Sequence, residues 1–235
     1  MLWLILPILL LGLSFSHFLQ RTAITESSEI QAGSLALMER TGAVFVMVSF
    51  VVGGISREYQ EKGMEFFLAL PMGRTSYLFG KLLGYACCSL LLAILFTLPF
   101  FLSNSPVSAS IWGISLFLEL ALMSCVSLFF SISLTQMPLA LAAVSGFYLL
   151  SRSMGAIMLI MKGPLAVHGF LEDIADRAIS LVSFVLPSLD DFTRTGWILY
   201  QETKWQVLLP VLVQTAIYLL LISAAALFDF ERREI

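Results

Sequence analysis

The sequence predicts an all-α integral membrane protein of six transmembrane helices. An amphipathic helix lies on the membrane surface between spans two and three, and short re-entrant helices lie between spans five and six. Three observations carry this prediction. Of the 235 residues, 59% are hydrophobic, against roughly 45–50% in a soluble domain. Long apolar runs nearly free of charge recur along the whole length, and in lipid such runs close their backbone hydrogen bonds only as helices. The short alternating segments of a membrane barrel do not occur. The chain therefore reads as a single transmembrane domain, 1–235.

The elements follow in order. Residues 2–19 are the first apolar run. No basic region precedes it and Ser14-Phe15-Ser16 is a poor cleavage site, so it reads as an uncleaved span rather than a signal peptide. Residues 21–40 are polar, with Arg21, Glu26, Glu29, Glu39 and Arg40, and read as a loop or short surface helix. Span two, 41–56, is short for a crossing of about twenty residues. It is expected to extend at its outer end past Glu39 and Arg40. Gly53 and Gly54 near its inner end permit close helix contact or a bend.

The polar stretch 57–81 comes next, then span three at 82–102. A turn rich in Ser, Asn and Pro runs from Ser103 to Ser110. Span four is 111–134. The connection Thr135-Gln136-Met137-Pro138 is tight, and Pro138 suits a helix start. Span five is 139–161. Residues 162–205 form the longest non-spanning segment, and within it 178–186 is apolar but too short to cross, as in a re-entrant or interfacial piece. Span six is 206–228, followed by a charged tail.

Lysine and arginine placement sets the orientation. With both termini cytoplasmic, Arg57, Lys62, Arg74, Lys81, Arg232 and Arg233 lie inside. Arg21, Arg40, Lys162, Arg177, Arg194 and Lys204 lie outside, spread over a longer total length. Nucleic acid is excluded as a partner by the formal net charge of −3 and the lack of a basic tract. Cys87, Cys88 and Cys125 lie in apolar runs without metal-ligand spacing and read as small hydrophobes. Two distant histidines, His17 and His168, offer no metal or catalytic site. Trp3, Trp112, Trp197 and Trp205 fall near span boundaries, as interfacial anchors do. Asp190 and Asp191 read as helix-capping residues, and Met154, Met158 and Met161 as packing residues.

On a wheel of about 100° per residue, Ile55, Tyr59, Gly63, Phe66 and Leu70 share one side of the stretch. Arg57, Glu58, Glu61 and Glu65 share the other, with Lys62 at its margin. Glu58 and Lys62 stand in the favourable i,i+4 order, and Pro71 and Gly73 end the helix.

These residues carry a resemblance. Glu58, Gly63, Glu65, Leu68-Ala69-Leu70-Pro71, Arg74, Tyr77 and Gly80-Lys81 resemble the loop between the second and third spans of type-2 ABC transporter permeases. Leu186-Pro187-Ser188-Leu189-Asp190-Asp191-Phe192 with Thr195-Gly196 is similar to the segment before that family's last span. Phe230-Glu231-Arg232-Arg233 is similar to its charged tail. Family members begin with a cytoplasmic amphipathic helix, whereas this sequence starts almost at once with Leu2-Trp3-Leu4, so no role is assigned to such a helix.

The resemblance implies the membrane subunit of an ATP-driven exporter in a bacterial or archaeal cytoplasmic membrane. Such a subunit pairs with a second permease copy, identical or paralogous, and is driven by a soluble ABC ATPase. Glu58, Glu61, Lys62, Glu65 and Phe66 are then the ATPase-coupling residues, and ATP and Mg belong to the partner. The sequence itself has no G-x-x-x-x-G-K-[ST] loop. A non-transporting anchor or assembly subunit and a haem-export-type permease are the alternatives. A membrane enzyme fits less well, since G-x-S-x-G and H-E-x-x-H are missing and no catalytic residues are assigned.

Glu119 and Arg152 lie within spans, where ionisable residues face a bundle interior or polar cavity. Counted from the outer ends of spans four and five, both are roughly 12–14 Å deep. Since those spans are joined by a tight turn, a Glu119–Arg152 ion pair is expected.

Overall fold

The computed structural model describes residues 27–61, 73–103, 105–134, 136–161, 186–193 and 205–232, with individual residues between 7 and 14 and between 177 and 183. The described elements are all helical. They comprise α1 (Ser27–Gln60), α2 (Arg74–Ser103), α3 (Pro106–Ser133), α4 (Met137–Met161) and α5 (Leu208–Arg232). Two short 3₁₀ turns, η1 (Leu189–Thr193) and η2 (Trp205–Val207), precede α5.

Five segments are long and apolar enough to cross a membrane: Gly33–Gln60, Thr75–Phe101, Pro106–Ser133, Met137–Leu159 and Trp205–Phe230. The expected first span lies mostly outside the described residues, although Pro7, Ile8, Leu10, Leu11, Gly12 and Ser14 are helical. The expected re-entrant piece also lies largely outside them. What is described there is helical backbone at positions including Arg177, Ile179 and Val182, with the Leu186 N–H donating to Val182 O at 2.9 Å.

The helices outrun the expected spans. α1 begins at Ser27, so span two extends past Glu39 and Arg40 as expected, and the polar residues 27–38 are helical and continuous with it. α2 begins at Arg74, so Lys81 is inside a helix. α3 starts at Pro106 because Ser105 is a working N-cap: its hydroxyl accepts the Ser108 N–H at 3.3 Å, and the following proline needs no donor there.

α3 is the central helix. In its membrane-length window 72% of the residues are buried, against 17% for the window covering α5. It packs against α1, α2, α4, α5 and η1. Small side chains make this possible, because Ser115, Ala121, Ser124, Ser127 and Ser131 let neighbouring backbones approach. The hydroxyls of Ser124, Ser127 and Ser131 take their partners from α3 itself. Ser127 donates to Met123 O at 2.7 Å and Ser131 to Ser127 O at 2.6 Å, within α3 itself.

Large apolar groups fill the rest. Phe100 of α2 tilts against Trp112 of α3 with ring centroids 4.4 Å apart. Trp112 is therefore buried, at 2% exposure, and does not anchor an interface. Trp205, by contrast, is exposed.

Candidate functional site

Two polar clusters stand on this frame, and α1 contributes to both. The first is built inside the bundle around Arg40. Its guanidinium is 1% exposed and the Glu119 carboxylate is 0% exposed, and Arg40 Nε lies 2.5 Å from Glu119 Oε2. Two opposite charges this close and this buried form an ion pair inside the bundle. The other two nitrogens are well directed. Nη1 donates to Phe192 O at 2.8 Å and Nη2 to Ser115 Oγ at 2.7 Å. Ser115 also donates to Phe192 O. The Arg40 guanidinium carbon sits 5.5 Å from the Trp112 ring centroid, within cation–π range.

One side chain thus fastens three elements. Trp112, Ser115 and Glu119 follow helical spacing along one face of α3. Phe192 belongs to η1, whose Leu189 and Phe192 side chains are fully buried. The segment of 186–192 singled out in the sequence is therefore inserted into the bundle, and its backbone carbonyl is part of the cluster. Asp190 and Asp191 occupy the first turn of η1, where acidic residues suit exposed backbone N–H groups.

Glu119 takes Arg40 as its ion-pair partner in place of the expected Arg152. α3 and α4 are the two helices joined by the tight turn, and equal depth favoured Arg152 on α4. α1, however, extends far enough to carry Arg40 against α3. Arg152 is half-buried on α4 and lies near enough for its charge to act on Arg40 and Tyr148. One turn further along α4, Gly155 faces the Asp190 carboxylate, and a Cβ at that glycine would overlap it.

The second cluster closes the end of the bundle where α1 stops and α2 starts. Glu58 is bound from two sides: Lys81 Nζ contacts its Oε1, and the Tyr77 hydroxyl donates to its Oε2 at 2.7 Å. Lys81 lies 5.7 Å from the Tyr77 ring centroid and 5.9 Å from that of Tyr85. Tyr77 in turn stacks on the buried Phe230 of α5, centroids 5.9 Å apart. Ser133 donates to Asp229 Oδ2 at 2.6 Å, tying α3 to the same end of α5.

This changes the reading of the polar stretch. Glu58 was expected on an outward face beside Glu61, with Lys62 as its partner. Instead it faces α2, because α2 begins early enough to present Tyr77 and Lys81 to it. Arg57 and Glu61 are the outward residues, with side chains 78% and 71% exposed and 4.0 Å apart in an i,i+4 pair. Lys62, Glu65 and Phe66 lie outside the described residues.

Arg40 and Ser115 were missed as functional candidates, and Tyr77 was noted only among the residues of the loop resemblance. The helical spacing of Trp112, Ser115 and Glu119 was a usable signal for a polar face on α3. Nothing local marked Arg40 as buried. No group of three or more metal-ligating side chains occurs among the described residues. No protein-family model matches the chain, and no curated protein matches it.

Proposed function

We propose that this chain is the permease subunit of an ATP-driven exporter, paired with a second permease copy and driven by a separate soluble ATPase. The observation that carries the reading is the stretch 57–81, whose residues resemble the coupling loop of type-2 ABC permeases. The geometry at its start supports the same reading. α1 is continuous from Ser27 to Gln60, so a force on Arg57 or Glu61 travels along a rigid helix. It reaches Arg40 seventeen residues away, about 26 Å at 1.5 Å per residue. Glu58 fixes that helix to α2, and Arg40 fixes it to α3 and η1. Motion imposed by a partner would therefore be shared among α1, α2 and α3 instead of being lost in a loose loop.

In this account the interface residues are Glu61, Lys62, Glu65 and Phe66 together with Arg57, and Glu58 is the hinge clasp behind them. ATP and Mg are held by the partner. The chain lies in a bacterial or archaeal cytoplasmic membrane with both termini inside. Purification of the tagged full chain from native membranes tests the proposal. The expected result is an associated ATPase whose turnover in liposomes falls when Arg57 and Glu61 are charge-reversed. An ATPase that binds but keeps the same turnover in that variant would assign an anchoring role instead. Purification without any nucleotide-hydrolysing partner would overturn the proposal.

A further inference from the structure

One buried acidic group takes no part in either cluster. Glu39 precedes Arg40 on α1 but points elsewhere, because successive residues on a helix diverge by about 100°. Its side chain is 0% exposed. Neither carboxyl oxygen has a hydrogen-bond partner among the described residues. The helical residues before α1 cover it. A Cβ on Gly12 would lie 3.5 Å from Glu39 Cγ and 3.7 Å from Leu35 Cδ1. One turn earlier, Ile8 packs so closely on Gly42 that a Cβ there would overlap it. These two positions, i and i+4, lie along α1 beside Glu39 and Gly42.

A lone carboxylate in such a place has nothing to offset its lost hydration. Burying an unpaired charge is so unfavourable that a group of this kind neutralises instead, and intramembrane acids commonly serve as proton carriers. The nearby charges do not relieve it. Arg40 is engaged by Glu119, Ser115 and Phe192 O. A metal cation needs several oxygen ligands, and among the described residues no group of three or more His, Cys, Asp or Glu side chains is placed to hold one.

We infer that Glu39 is a proton-binding site, holding its side chain as the neutral carboxylic acid inside the folded bundle at neutral pH. Loss of that proton requires the carboxylate to meet water or a cation. The inference does not depend on what the chain transports.

Infrared spectroscopy of the full-length protein in lipid, with carboxyl-¹³C glutamate, tests it directly. An ordinary glutamate, with a pKa of about 4.3, is only about 0.2% protonated at pH 7. The account expects an isotope-shifted acid carbonyl band of about one residue's intensity at pH 7, sensitive to D₂O exchange and lost in Glu39→Gln. Glu119→Gln should instead remove intensity from the carboxylate band. If Glu39→Gln does not fold, the wild-type spectrum still decides by the presence or absence of the acid band. No acid band at pH 7, or a band that survives Glu39→Gln, would overturn the inference.

Discussion

Replacing Glu119 alone should harm the bundle more than replacing Glu119 and Arg40 together. In Glu119→Leu the Arg40 guanidinium, 1% exposed, keeps Phe192 O at 2.8 Å and Ser115 Oγ at 2.7 Å but loses its counter-charge. Stranding one member of a buried pair costs about 3–5 kcal/mol, which shifts the unfolding equilibrium by roughly two to nearly four orders of magnitude. In the double variant Arg40→Met/Glu119→Leu both charges leave, and methionine fills the volume of the arginine stem. Phe192 O is not orphaned, because the Ser115 hydroxyl still donates to it. The remaining loss is that of hydrogen bonds without a stranded partner, about 1–2 kcal/mol. The double variant should therefore be more stable than either single one by about 1–4 kcal/mol, so the two losses are far from additive. Unfolding in mixed micelles, followed by the fluorescence of Trp112 beside Arg40, measures all four corners of the cycle. Additive losses in the double variant would refute the pairing of these two residues and, with it, the role of Arg40 as the fastener of α1, α3 and η1.

The Glu58 clasp should behave as a half-buried pair, with its two side chains 26% and 22% exposed. Glu58→Lys is expected to lower stability by about 1–3 kcal/mol, and the exchange Glu58→Lys/Lys81→Glu to recover most of that in a thermal melt. The same loss in the exchanged protein would show that the contact is not what matters. Gly155→Leu should push Asp190 away and disturb η1, at an overpacking cost of about 1–3 kcal/mol. Hydrogen exchange at the η1 amides should rise in that variant, while unchanged protection would place Asp190 elsewhere.

The existence of the membrane helices was legible because hydropathy over a span is a sum that few residues can upset. Their ends were not. Span two was expected to run past Glu39 and Arg40 but not back to Ser27, and the burial of Glu39 and Arg40 is something no local pattern reveals. Lys81 likewise looks like a boundary residue, but α2 runs back to Arg74 and turns it into the partner of Glu58. The start of α3 was readable in Ser105-Pro106, a capping residue followed by a proline at the first helical position. Of the intramembrane pair, the acidic half was identified and its neighbour was not. Sequence proximity of spans four and five suggested Arg152, whereas the choice between α1 and α4 rests on tertiary packing around the small residues of α3. The wheel at 55–61 correctly turned Ile55 inward and Arg57 and Glu61 outward. It misplaced Glu58, because a long side chain on the outward half still reaches a neighbouring helix when that helix starts early.

Site-directed photo-crosslinking at position 61 in native membranes tests the central claim most directly, namely that a separate ATPase grips the end of α1. A photoreactive residue replacing Glu61 should give an adduct with an ATP-binding protein, strengthened or weakened by nucleotide. The same residue at the lipid-facing position of Leu220, 72% exposed on α5, should give none. Adducts from position 61 that contain only lipid, or equal protein adducts from both positions, would contradict the account.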